Sequence, residues 1–375
     1  MNILKKSCIS FLILFSSSLF AESEFLEYFP EEVTVLIHFD DIDELSEKWD
    51  EYSILNAFKF KDDKLLSAWE DAKEDLIEEE LQELMDLFDG ETCLAFHSKD
   101  LNFNLIASFD GSAKDVIQNF EDLVNREIGD ESISFENIFI EEKYNNETIY
   151  ILDSEKIEGD FYGSKTSFTI IDETLILSAT TALLKETIIS YQNNETSPLL
   201  DDPLFQQALD DYDGDDFLAY INIKQLIEFG LNKLSEEKIE VPQNPFGVTK
   251  ESILNALAFD KIQTYHIATS IEEDRIDMTG KLYFEEKTGL LSLLHYDNKT
   301  LPSEVFVPTD ALNASMSNWN INESFQNLEK IISEISPQVF GIYNMQVEQL
   351  KIQMGGLDIR KDIIGNLGND IVYYS

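Results

Sequence analysis

Cysteine is nearly absent. The 375 residues hold two, and Cys8 lies in the N-terminal segment, so Cys93 is the one thiol in the rest of the chain. A lone cysteine excludes an intrachain disulfide and a cysteine-based zinc cluster. Stability must then come from the core, and a chain of this length can bury one. Within the run "ETCLAFHS", Cys93 reads as a small buried side chain and not as a reactive thiol.

Positive charge is also scarce. Lys and Arg number 27 against 74 Asp and Glu, a formal charge of −47. No basic patch is available to neutralise phosphate, which excludes nucleic acid and anionic headgroups as partners. The acidity does not imply disorder, because 43% of the residues are hydrophobic and aromatics are plentiful. Long apolar runs are missing as well. Beyond the N-terminal segment nothing approaches the roughly 20 residues of a membrane helix. "GLLSLLHY" at 289–296 is too short and reads as an amphipathic helix. There is no GxSxG, no phosphate loop, no dinucleotide fingerprint and no HExxH. These absences leave no catalytic residue and no cofactor-binding residue to nominate, and no cofactor is expected.

What is there begins with an export signal. Lys5 and Lys6 precede an apolar stretch at 9–15, then small residues Ser16 to Ser18. That order is the pattern of a signal peptide, with cleavage expected between Ala21 and Glu22. An uncleaved anchor is the rival reading. Residues 1–21 are therefore a signal segment. The remaining chain is expected in the periplasm or outside a Gram-negative-type cell, without a membrane span.

The same phrase occurs three times. A β-like run turns straight into a helical pattern at "VTVLIHFDDIDELSEKW", at "FLAYINIKQLIEFGLNKL" and at "LNASMSNWNINESFQNL". The first copy continues with a helix over 64–88 and strands at "GETCLAFHS" and "LNFNLIASF". A helix at "SAKDVIQNFEDLV" closes it, with Ser112 as its cap. Phe103, Leu105, Ala107 and Phe109 alternate with less apolar residues, which predicts a sheet with one buried face. The second copy adds a helix at "SILNALAF", a hairpin joined through "EED", and the helix near "TGLLSLLHY". The third runs through two helices to "NDIVYYS", and its unit is expected to be incomplete. Residues 132–192 read mainly as strands, near 134–140, 148–153, 166–171 and 174–179, before the helix "TALLKETIISY".

The expected fold is therefore α+β. Repeated β-α-α-β-β-α units form largely antiparallel sheet covered by helices. The expected division is 22–195, with the β-rich segment 132–192, then 196–300 and 301–375. Several phrases carry a resemblance. "YFPEEVTVLIHFDDIDELSEKW", "DETLILSATTALLKETI", "VPTDALNASMSNWNINESF" and "DIRKDIIGNLGNDIVYYS" resemble segments of a broad group of exported bacterial proteins of unknown function. The resemblance implies no site residues.

Candidate sites are few. His38, His97 and His266 fall in strand runs, opposite their most apolar neighbours, and read as hydrogen-bonded or solvent-facing. Cys93 and His97 share a face but stand about 13 Å apart at strand rise, too far for proton transfer. "LDDYDGDDF" resembles a calcium loop, yet Leu209 and Tyr220 fall where the first and last ligands belong. A weak surface cation site at Asp211, Asp213, Asp215 and Asp216 is the most that it suggests. Trp49, Trp69 and Trp319 read as core residues. The leading functional reading is a non-enzymatic envelope protein that binds or scaffolds an unidentified envelope protein or ligand. The alternatives are a hydrolase with a carboxylate pair acting on polymers, and a carrier of an apolar ligand.

Overall fold

The computed structural model describes residues 25–30, 33–51, 88–97, 102–128, 135–153, 166–193, 197–212, 216–236, 245–272, 275–296 and 314–374. The signal segment with Ala21 and Glu22, the expected helix before Phe88, Trp69, Asp213 and Asp215 lie outside these residues.

Two compact units are present. One comprises Met1–Phe229 with Thr264–Tyr283, the other Gly230–Gln263 with Phe284–Ser375. In chain order the strands are β1 (Val33–Phe39), β2 (Phe88–His97), β3 (Phe103–Phe109), β4 (Phe139–Tyr144), β5 (Glu147–Leu152) and β6 (Ser167–Ile171). They continue with β7 (Thr174–Ser178), β8 (Phe217–Asn222), β9 (Ile262–Ile271), β10 (Ile276–Phe284), β11 (Ala314–Asn318) and β12 (Asp370–Tyr374). The helices are α1 (Ile42–Glu51), α2 (Ala113–Ile128), α3 (Phe135–Ile138), α4 (Thr181–Asn193) and α5 (Pro203–Tyr212). After them come α6 (Ile223–Glu236), α7 (Lys250–Leu257), α8 (Ile321–Ile335) and α9 (Pro337–Gln353).

The class is α+β, as expected. Among the described residues one sheet has ten strands in the order β10-β9-β8-β1-β2-β3-β7-β6-β5-β4, and β11 and β12 form a second. Three strand pairs are antiparallel: β1 with β2, β8 with β9, and β11 with β12. β1 also pairs antiparallel with β8, in the register Leu36 to Tyr220. Tight turns close the hairpins. Asn145 and Asn146 both take positive φ, the two-residue turn whose twist matches flanking strands.

Helices cover both faces of the large sheet. On one face Leu36, Cys93, Ala95, Ile106, Ile176 and Tyr220 pack with Leu184 and Ile188 of α4, Phe205 and Ala208 of α5, and Phe29. On the other, Leu105, Ala107, Phe109, Phe168 and Leu175 pack with Ile42 of α1, Val116 of α2 and Phe135 of α3. Each fully buried Leu or Ile contributes about 1.5–3 kcal/mol. The alternation in β3 therefore marks one of two buried faces. Asn104 on the second face is buried because it is paired. Its amide donates to Thr187 Oγ1 at 2.8 Å, and its carbonyl oxygen accepts from Ser178 Oγ at 2.7 Å.

Two other expectations are corrected. The strand near 134–140 begins as helix α3, whose turn puts Phe135 and Ile138 into one core, and β4 starts only at Phe139. The helix near "TGLLSLLHY" is a five-residue 3-10 turn, Gly289–Leu293. It starts at Gly289, whose φ is +52°, and a Cβ there would lie 2.2 Å from the Leu257 carbonyl oxygen. Only glycine fits so close to another backbone.

The second unit holds α7, α8, α9 and the β11–β12 pair. Ser336 serves both long helices. Its N–H caps the end of α8 on the Ile332 carbonyl, and its hydroxyl accepts from Val339 N at the start of α9. Pro337 follows at the first helical position, where its missing N–H costs nothing. Arg360 donates from Nε to Glu329 Oε1 at 2.5 Å, and the Tyr343 hydroxyl donates to the same oxygen at 3.0 Å. No helix among the described residues is long and apolar enough to cross a membrane.

Candidate functional site

Three histidines enter the face of the large sheet that carries Leu36 and Tyr220. Side chains two apart on a strand share a face. Thr34, Leu36 and His38 therefore point together from β1, as do Cys93, Ala95 and His97 from β2, and Thr264, His266 and Ala268 from β9. His38, His97 and His266 are fully buried. The solvent-facing reading is thus corrected, while the hydrogen-bonded one holds for His38 with Glu91 and for His266 with Asp211.

The partner of His38 is a carboxylate. Register sets His38 of β1 directly opposite Cys93 of β2. Glu91 precedes Cys93 by two residues and takes the same face. Its Oε1 lies 3.2 Å from His38 Nε2 and 3.9 Å from Cys93 Sγ, and it accepts from Phe25 N at 3.3 Å. Near the start of strand β2, Gly90 takes φ +90°, and the register against β3 shifts between Phe88 and Thr92. That irregularity re-aims the strand entry, a common device beside sites. Tyr212, at the end of α5, sets its ring edge-on to His38 with centroids 5.4 Å apart. Burial pushes the Tyr212 phenol far up, and the charges of Asp40, Cys93, Glu91 and Asp216 add to this. Burial likewise raises the Asp40 carboxyl, with His38 opposing and Glu91, Asp41 and Asp216 reinforcing. Among the described residues, His38, Glu91 and Cys93 form a group of metal-type donors whose ligand atoms all lie within 4.8 Å of one another.

His97 is not part of this group. It packs beside Phe29, ring centroids 6.1 Å apart, while the imidazole opposite Cys93 across the ladder is that of His38.

The acidic residues nominated from the sequence separate. Asp211 lies within α5 and not in a loop. Its Oδ2 meets His266 Nε2 at 2.9 Å and its Oδ1 accepts from Lys281 Nζ. Burial raises the Asp211 carboxyl, and the bonds from Lys281 and His266 outweigh this, leaving it below the usual carboxylate range. Asp216 accepts from Lys48 Nζ at 2.6 Å and from Ile271 N at 2.6 Å. Both carboxylates are thus occupied by donors of the chain.

In the second unit a cleft of about 270 Å³ is lined by Lys287, His295, Glu323, Asn327, Lys330 and Glu334 among others. His295 Nε2 lies 3.1 Å from Glu323 Oε2 there. Trp319 is half-buried, its indole N–H donating to Leu293 O at 3.0 Å and Ser324 Oγ at 2.7 Å.

No protein-family model matches the chain, and no curated protein matches it, in accord with a resemblance only to exported proteins of unknown function. Weak likenesses among solved structures include crystal forms I, IV and III of TP0453. Each is 10% identical, with TM-scores of 0.33, 0.34 and 0.34. They cover 70%, 71% and 76% of this chain and 78%, 81% and 84% of the other. A likeness of that degree carries no argument about role.

Proposed function

We propose that this chain is a non-enzymatic binding protein of the bacterial envelope, exported by its N-terminal segment and engaging a protein partner through its second unit. One observation carries the reading. Helix α9 has no buried residue, and it exposes Ile342, Met345, Leu350 and Ile352, the last at 77%. Of the 20 large hydrophobic residues that are exposed among the described residues, 17 belong to the second unit. Scattered exposed apolar residues are ordinary, whereas such a concentration marks an interaction surface. The net charge of −47 favours a protein surface over an anionic membrane. Support for export comes from Lys5, Lys6 and the apolar stretch behind them. The division of the chain into repeats at 22–195, 196–300 and 301–375 belongs to the same proposal, as a scaffold enlarged by duplication.

The test is recovery from envelope extract with the full chain and with a Met345→Glu, Ile352→Glu variant. One stoichiometric partner that stays bound in high salt and is lost from the variant is the expected result. No partner at any salt, or equal recovery by the variant, would overturn the reading.

A further inference from the structure

We propose that His38, Glu91 and Cys93 bind a zinc-class divalent cation through one imidazole nitrogen, one carboxylate oxygen and one thiolate sulfur. The site is independent of the apolar surface of the second unit. Its spacing is the first argument. Around a tetrahedral zinc with bonds of about 2.0–2.3 Å, ligand atoms stand roughly 3.3–3.8 Å apart. Here the His38–Glu91 and Cys93–Glu91 edges are 3.2 and 3.9 Å, and the third is within 4.8 Å. The cluster thus has close to the dimensions of one face of that tetrahedron.

Donor chemistry selects the metal. Thiolate and imidazole suit zinc and its neighbours, while calcium and magnesium want oxygen alone. Rigidity favours it too. His38 and Cys93 are opposed by backbone register, and Glu91 sits on the same strand as Cys93. Three protein donors leave one position for water.

The setting suits a held ion: the His38 side chain is fully buried and that of Glu91 only 19% exposed, so the cluster is largely shielded from solvent. The ordinary alternative is a hydrogen-bonded imidazole–carboxylate pair that is indifferent to metals. Binding involves no redox step. The metal–sulfur bond forms as the Cys93 thiol proton leaves to solvent.

The experiment uses the full chain, stripped with a chelator and held in millimolar calcium to occupy surface carboxylates. Zinc is titrated calorimetrically, and cobalt(II) serves as the optical probe. The expected result is one zinc per chain, with a thiolate-to-cobalt charge-transfer band and tetrahedral visible bands. Cys93→Ser should abolish that band, and Cys93→Ser or His38→Ala should weaken zinc by more than about 100-fold. Absence of zinc binding in calcium, an octahedral cobalt spectrum without the thiolate band, or unchanged affinity in Cys93→Ser would each overturn the proposal. The cobalt spectrum of the unsubstituted chain decides the matter even where a variant fails to fold.

Discussion

His38 and Glu91 form a pair across 53 residues of sequence, with a fully buried imidazole 3.2 Å from a carboxylate oxygen. Glu91 also accepts the Phe25 N–H. Removing the acceptor strands donors in the core, which costs more than the bond itself contributed. Glu91→Ala is expected to destabilise the chain by about 1–3 kcal/mol in chelator-treated buffer. Urea titration measures this. Adding His38→Leu should restore part of the loss, because it removes the stranded donor; a double variant no better than the single one would refute the account.

Gly289 predicts an effect that comes from backbone packing alone. Its φ of +52° and the Leu257 carbonyl 2.2 Å from an added Cβ leave no room for a side chain. Gly289→Ala must strain the backbone and displace the end of α7. A loss of at least about 2 kcal/mol is expected, seen as a fall in Tm. Gly341, with nothing near an added Cβ, is the control, and Gly341→Ala should leave Tm nearly unchanged or raise it.

How much of this was legible in the sequence depends on which face a residue serves. The three repeated phrases and the hairpins could be read from strand and helix periodicity, and the antiparallel α+β sheet followed. Residues 103–109 alternate, and the apolar half of that alternation does face a core. The other half faces a core too, and it escaped because Asn104, Ser178, Thr34 and the histidines look like surface residues. Asn104, His38 and His266 are buried where a partner arrives from far along the chain, as Thr187 does for Asn104 across 83 residues. The sequence reading weighed Cys93 with His97 along the strand and passed over Glu91, two residues before Cys93. Nothing local announced that β1 would bring His38 to them. Within 209–217 the helix α5 extends through Tyr212, held by burial of Phe205 and Ala208.

Asp211 gives a pH prediction whose sign follows from its neighbours. Lys281 on β10 and His266 on β9 face it, and together they hold its carboxyl below the usual range against the effect of burial. A group with a depressed folded-state pKa contributes stability above its unfolded value, and that stability is lost as pH falls through the folded value. The contribution should therefore be complete above about pH 5 and decline as pH falls below about 4 toward the folded value. Asp211→Asn should lower stability at pH 7 and lose this difference from the parent chain at low pH. Denaturant midpoints across that range check it. A difference that persists unchanged at pH 3 would contradict the assignment.

Ser336 tests whether the helix pair of the second unit depends on its shared cap. The hydroxyl accepts from Val339 N at 3.2 Å and donates to Phe246 O at 2.5 Å, so one oxygen ties the start of α9 to a distant loop. The neighbouring Pro337 already fixes the helical φ, so the backbone should keep its course without the hydroxyl. What Ser336→Ala removes is then the satisfaction of a helix N–H and of the Phe246 carbonyl. Such a cap contributes about 1 kcal/mol, with a further ~1 kcal/mol for the second bond. Ser336→Thr keeps the oxygen and should recover most of it. Amide exchange at Val339 is the sensitive readout, since faster exchange confined to the first turn of α9 separates a lost cap from general unfolding. Equal exchange in Ser336→Ala and the parent chain would show that proline alone sets the turn.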